Sequence, residues 1–267
     1  MIKDITIGQY VPGESFVHKL DPRVKILLSF VYIISIFLVK DFKGYIFIVS
    51  FTLLTILASK VQFKYIFKGL KPLVVLILFT AVLNVFMYDG HKLIFAWKFI
   101  KIYKEGVELA ALMVLRLVFL IAGTSLLTLT TSPIELTDGI EKLLNPFKRI
   151  GVPAHELAMM MTIALRFIPT LMDETDKIMK AQMARGAEFE SGNLFKKAKN
   201  LIPLLVPLFI SSFRRADELA MAMEARCYRG GEGRTRMKVL KLSQKDLIAS
   251  CLTIIFMVLC IFSRYMK

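Results

Sequence analysis

The sequence predicts an all-α, polytopic membrane protein of about five transmembrane helices, with a cytoplasmic helical domain inserted before the last of them. Three observations carry that expectation. With 56% hydrophobic residues over 267 positions and a mean hydropathy of +0.60, the chain is too apolar for an ordinary soluble domain and too long for a single anchor. Charge-free apolar runs recur along it. The formal charge of +15 gathers at the ends of those runs and in one long polar segment, as it does where basic residues mark cytoplasmic loops and lipid headgroups. A nucleic-acid binder would gather its basic residues on one stripe, so no nucleic acid is expected as a partner.

The N-terminus, Met1 to Tyr10, lacks a basic-then-apolar stretch ending in small residues, so no cleaved signal peptide is expected and insertion relies on the internal spans. Apolar runs lie between Lys25 and Lys40, Lys43 and Lys60, Lys71 and Asp89, Arg116 and Glu135, and Asp246 and Arg264. The fourth begins near Val107, with Arg116 inside it. Several fall short of the roughly 20 residues that cross a bilayer, but terminal lysines snorkel and lengthen them. Arg116 is expected to snorkel from the outer third of its span, and Asn84 to make an interhelical hydrogen bond. Lys60, Lys64, Lys68 and Lys71 place the loop between the second and third spans in the cytoplasm, on the same side as the long segment after the fourth. Lys92, Lys98, Lys101 and Lys104 then face outward, and the Phe95, Trp97, Phe99 and Tyr103 among them point to an interfacial segment.

Residues 1–131 thus form an N-terminal membrane domain of four spans, 132–245 a cytoplasmic domain, and 246–267 a C-terminal transmembrane helix. Ser132-Pro133-Ile134-Glu135 reads as a helix start, with a cap, proline at the first helical position and an acid in the first turn. That helix runs to about Leu144, before the breakers Asn145-Pro146 and Gly151-Val152-Pro153. An amphipathic pattern follows from Ala154 to Arg185, with Leu157, Met161, Leu165, Ile168, Met172 and Ile178 on one face, and Gly186 ends it. Leu201 to Ile210 is apolar but holds Pro203 and Pro207 and is too short to cross. It predicts a kinked surface helix or a bend leading into a second helix, Ser211 to Arg226.

Chemistry is sparse. Gly230, Gly231 and Gly233 follow a helix and lack the lysine of a phosphate-binding loop, so the stretch to Arg236 reads as a basic turn near anionic lipid. His18, His91 and His155 are scattered, and Cys227, Cys251 and Cys260 make neither a disulfide framework nor a metal cluster. No cofactor and no metal are expected. No acid lies inside a span, which argues against a stand-alone secondary transporter or channel, and no polar cluster at one interface suggests a lipid-modifying enzyme.

What remains is a pair of motifs. Ala181-Gln-Met-Ala-Arg185-Gly186 and Ala222-Met-Glu-Ala-Arg226-Cys227 each set an arginine at the end of a Met- and Ala-rich helical run. A guanidinium fixed there is shaped to grip a carboxylate bidentately on another surface. Together with Ile7-Gly8-Gln9-Tyr10, Gly13-Glu14-Ser15 and Leu20-Asp21-Pro22-Arg23-Val24-Lys25, and with the run from Ala222 to Arg236, these motifs resemble the transmembrane T component of energy-coupling factor (ECF) transporters over nearly the whole chain.

The resemblance implies a non-enzymatic coupling subunit of a vitamin or micronutrient importer in a prokaryotic cell membrane. It implies as partners two ATP-binding-cassette ATPase subunits (EcfA and EcfA′), a substrate-binding membrane S component, and lipid. It also implies that Ala184, Arg185, Gly186, Ala225, Arg226 and Cys227 dock the ATPases. The family often has glycine where this chain has Cys227; cysteine is strained in a left-handed turn, so Gly230 and Gly231 are expected to supply that turn slightly later. Met159, Met160, Met161, Met179, Met183, Met221 and Met223 suit a surface that repacks against the S component, or ordinary packing within the domain.

Overall fold

A computed structural model describes residues 10–88, 92–97, 100–187, 189, 194–230 and 240–265. The expected Ile7, Gly8 and Gln9, His91, Lys98 and Phe99, and Gly231 through Arg236 lie outside these. The chain divides into two compact units, one of Gly8–Gly139 with Val239–Lys267 and one containing Ile140–Lys238.

The first unit holds the apolar helices: α1 (Pro22–Leu38), α2 (Phe42–Ser59), α3 (Phe63–Leu70), α4 (Val74–Met87), α5 (Lys104–Thr130) and α9 (Gln244–Tyr265). Among the described residues, four helical stretches are long and apolar enough to cross a membrane: Phe42–Ser59, Phe63–Met87, Lys104–Thr130 and Gln244–Ser263. The remaining expected span, α1, has 17 residues, about 26 Å at 1.5 Å per residue. The third span begins earlier than its charge-free run, because α3 is amphipathic and carries Lys64 and Lys68, and a 3-10 turn at Lys71–Leu73, with Pro72 in it, joins α3 to α4.

One of the two buried clusters of this unit among the described residues is rich in aromatic side chains. Tyr32, Ile36, Val39, Tyr45, Ile48, Phe256 and Cys260 bury one another, and the rings of Phe51 and Phe256 stack at 4.2 Å. The Tyr32 hydroxyl lies 2.8 Å from Thr52 Oγ1 and donates to the Phe119 carbonyl at 3.1 Å. A Cβ on Gly123 would fall 2.1 Å from the Tyr32 ring, so glycine is what lets α5 approach α1 here.

At one end of α1 sits a buried polar knot. Asp21 caps the helix, accepting from the Arg23 backbone N–H at 2.9 Å and from the Arg23 guanidinium at 3.0 and 2.7 Å. Asp246, near the start of α9, accepts from the backbone N–H groups of Asp21 and Ser243, both at 2.7 Å. Lys25 is buried and donates to the carbonyls of His18 and Thr130 at 3.0 and 2.9 Å.

One expectation, that for Asn84, is corrected in this unit, and two others gain detail. Arg116 sits mid-helix in α5, reaches the end of α1, donates to the Val39 carbonyl at 3.2 Å and lies over the Phe37 ring, because the end of α1 leaves that carbonyl without a helical partner. Asn84 makes no interhelical bond but donates to the Thr80 carbonyl of its own helix at 2.8 Å; α5 presents Gly106 at that level, which has no side chain to meet it. The interfacial segment contains an antiparallel hairpin, β1 (Leu93–Trp97) with β2 (Ile100–Tyr103), in an otherwise helical fold.

The helix α6 (Pro133–Leu144) starts and ends as expected and crosses the division between the units. In the second unit a 3-10 turn, Asn145–Ile150, ends at left-handed Gly151, and two long helices follow, α7 (Ala154–Ala184) and α8 (Leu194–Ala225). Here the sequence expectation fails in one respect. Leu201–Ile210 is neither a separate surface helix nor a bend before a new one: Pro203 and Pro207 lie inside one 32-residue helix. Pro207 has no N–H for the Pro203 carbonyl, four residues back, and the Gln182 side-chain amide of α7 supplies a donor to that carbonyl at 3.4 Å.

Candidate docking site

The two arginine motifs end their helices in the same way. At the first, the Gly186 N–H donates to the Met183 carbonyl at 3.0 Å and the Ala187 N–H to the Gln182 carbonyl at 3.0 Å. At the second, the Cys227 N–H donates to Glu224 at 2.8 Å and the Tyr228 N–H to Met223 at 3.0 Å. Both are Schellman stops, with Arg185 and Arg226 as the last, half-helical residue. The left-handed position is Gly186 at φ 86° in one and Cys227 at φ 54° in the other. The expectation that the second turn would wait for Gly230 is therefore overturned: Gly230 is left-handed at φ 87°, but as a further turn downstream. The paired hydrogen bonds outweigh the steric penalty of a cysteine Cβ, on the order of 1 kcal/mol.

Arg185, Arg226 and their neighbours Ala184, Gly186, Ala225 and Cys227 are all exposed. Their surroundings are set by contacts between α7 and α8 that step in opposite directions along the two helices. Tyr228 lies 3.4 Å from His155 Nε2 and donates to Met159 Sδ at 2.9 Å. Further along, Ser211 and Arg215 bond Glu174, the latter at 2.6 Å, and Gln182 reaches Pro203. The helices therefore run antiparallel, and the two arginines lie towards opposite ends of the pair. From the level of Met159 to Arg185 the rise along α7 is on the order of 40 Å.

Glu174 is the electrostatic centre of the pair. The Ser211 hydroxyl, and then the Arg215 guanidinium against a smaller burial effect, hold its carboxyl below the ordinary value of 4.5. At the other end His155 Nδ1 lies 3.1 Å from Glu141. Pattern reading missed these groups, since Glu174 falls among other charged residues on the polar face of α7 and nothing local marks it as the one facing α8.

The methionines do not form one surface. Met160, Met183 and Met221 are exposed, whereas Met159, Met161, Met179 and Met223 are half-buried and Met159 is engaged by Tyr228. Among the described residues no group of His, Cys, Asp and Glu could hold a metal ion.

Comparison with known proteins bears on this arrangement. Residues 13–237 match the family model CbiQ, described as a cobalt transport protein. The chain is 74% identical over 265 residues to the energy-coupling factor transporter transmembrane protein EcfT of Clostridium kluyveri, covering 99% of this chain and 98% of that one. It is 56% identical over 265 residues to the protein of the same name in Ruminiclostridium cellulolyticum, with 99% of each chain covered. Against that of Bacillus subtilis it is 49% identical over 264 residues, covering 99% and 100%. With its apolar helices, this makes it a multi-pass membrane component of a prokaryotic transport system. The chain belongs to the EcfT family, the transmembrane proteins of energy-coupling factor transporters.

Proposed function

We propose that this chain is the non-catalytic coupling subunit of an importer for vitamins or other micronutrients, linking ATP hydrolysis by two cytoplasmic ATPase subunits to movement of a substrate-binding S component. The observation that carries the reading is the pair of like Schellman stops, each presenting an exposed arginine, set towards opposite ends of an antiparallel helix pair. A separation on the order of 40 Å along the helix is too wide for one small groove, so each arginine takes its own partner. Arg185, with Ala184 and Gly186, docks one ATPase, and Arg226, with Ala225 and Cys227, docks the other.

A guanidinium seated on a carboxylate transmits force both ways, and breaking such a buried pair on one side costs about 3–5 kcal/mol. The helices that carry the arginines are tied by Glu174, Arg215 and Gln182, so closure of the ATPases moves them together. The exposed Met160, Met183 and Met221 offer separate contacts to the S component, while Met159, Met161, Met179 and Met223 are half-buried beneath the surface of the helix pair. On this reading residues 1–131 and 246–267 serve as the membrane-embedded parts and 132–245 as the coupling domain.

Copurification tests it. Wild-type chain brings down both ATPase subunits, whereas Arg185→Glu with Arg226→Glu loses them and abolishes ATP-driven uptake. Normal assembly and transport by the double variant would sink the docking reading. The chain purified alone hydrolyses no ATP.

A further inference from the structure

We infer that the second docking site is larger than its arginine, and that the 3-10 turn Asn145–Ile150 forms an apolar-and-basic knuckle inserting into the same ATPase subunit that takes Arg226. The inference rests on the docking reading above and extends it to residues that no motif marks.

The knuckle follows from the geometry of the turn. With three residues per turn, side chains three apart eclipse, so Phe147 and Ile150 stand on one face. Both are exposed, Phe147 by 50% and Ile150 by 80%. Lys148 and Arg149 lie between them and are exposed too. Pro146 fixes the backbone at the start, Gly151 permits the left-handed stop at the end, and the turn is closed by Gly151 N–H to the Lys148 carbonyl at 3.1 Å and Val152 N–H to Phe147 at 3.4 Å. A rigid turn displaying Phe-Lys-Arg-Ile outward gains nothing from its own fold. It is shaped to fill an apolar socket rimmed by carboxylates.

Its position beside the second motif is set within the same unit. Tyr228 is the residue whose N–H completes the stop after Arg226, and its hydroxyl reaches His155 and Met159 in the first two turns of α7. His155 in turn pairs with Glu141 in the last turns of α6. The knuckle lies on the short chain between Glu141 and His155, so both its ends are tethered to the Tyr228 cluster. Four residues lie between Ile150 and His155, and one, Cys227, between Arg226 and Tyr228. Extended chain spans about 3.5 Å per residue, so knuckle and arginine fall within one footprint of a single partner. At the first motif the corresponding residue is Ala187, whose methyl group cannot make such a tether.

The test uses the full chain assembled with its ATPases, carrying Ile150→Cys, and reads maleimide labelling peptide by peptide. Native Cys227, exposed beside Arg226, reports on the docking reading itself, and position 150 on the knuckle. Assembly is expected to slow labelling at both positions at least tenfold relative to the chain alone, and Arg226→Glu to restore both. Protection of Cys227 with position 150 as reactive as in the free chain overturns the knuckle and leaves docking intact. Free labelling at both positions, with ATPases still bound, overturns both. Protection of position 150 in the ATPase-free chain in vesicles of phosphatidylcholine and phosphatidylglycerol, but not in detergent, assigns the knuckle to lipid and overturns the inference. As a second measure, Phe147→Ser with Ile150→Ser is expected to reduce ATPase retention at least tenfold; unchanged retention speaks against it.

Discussion

Cys227 is the residue where the backbone carries a strain that its counterpart Gly186 avoids. A non-glycine residue at φ 54° is strained, yet the cysteine holds the same two hydrogen bonds as Gly186 at φ 86°. Replacing it with glycine removes the strain and leaves the bonds, so Cys227→Gly is expected to stabilise the helix end by about 1 kcal/mol without loss of ATPase binding. The opposite substitution, Gly186→Ala, is expected to destabilise by a similar amount. A Cβ there meets nothing within 4 Å, so the effect is purely conformational. Hydrogen-exchange protection of the last turns of α7 and α8, compared between the variants, reads both. If Cys227→Gly lowers protection, the strain argument is wrong.

Between elements, α7 and α8 depend on a few polar ties because neither helix has a continuous buried face. The Glu174–Arg215–Ser211 cluster is the strongest, and Gln182 compensates the carbonyl that Pro207 leaves open. The folded-state value of Glu174 lies below its ordinary 4.5. Its contribution is thus fully present above pH 4.5 and is lost as pH falls through the depressed folded value. Since the pair is partly exposed, that contribution is no more than about 1 kcal/mol. Exchange protection in the middle of α7 should therefore decline below pH 4.5 in the wild type, and Glu174→Gln should flatten that decline while lowering protection at neutral pH. An identical pH profile in the variant would show that the tie does not form.

At the scale of the molecule, the buried knot joins distant parts of the membrane unit. Asp246 satisfies the N–H of Asp21, 225 residues away, and that of Ser243, while Lys25 holds two carbonyls, one of them at the end of α5. Deleting the carboxylate strands two backbone donors, one of them deeply buried, at about 1–3 kcal/mol each. Asp246→Ala is expected to lower the midpoint of thermal unfolding in detergent by several degrees, read by tryptophan-independent aggregation or circular dichroism, while leaving ATPase docking intact in what remains folded. An unchanged midpoint would mean that water replaces the acceptor and the knot is not structural.

The apolarity of the membrane helices, the start of α6, the extent of α7 and its stop at Gly186 were all legible in the sequence, whereas of the five expected spans α1 falls short of the length that the other four reach. Each depends on composition or on the conformational preference of a few adjacent residues. The same holds for the arginine pair, since a helix end is a local event. The turn at Cys227, the continuity of α8 through two prolines, the inward reach of Arg116 and the tie at Glu174 were not legible, because each is decided by a partner elsewhere: a paired hydrogen bond, a glutamine on another helix, a helix-end carbonyl, an arginine 41 positions on. The sequence by itself determined most of the apolar helical segments and the stop of α7 at Gly186. Only the tertiary structure decided which polar side chains meet, because the energy of a buried polar group lies in its partner and not in its own position along the chain.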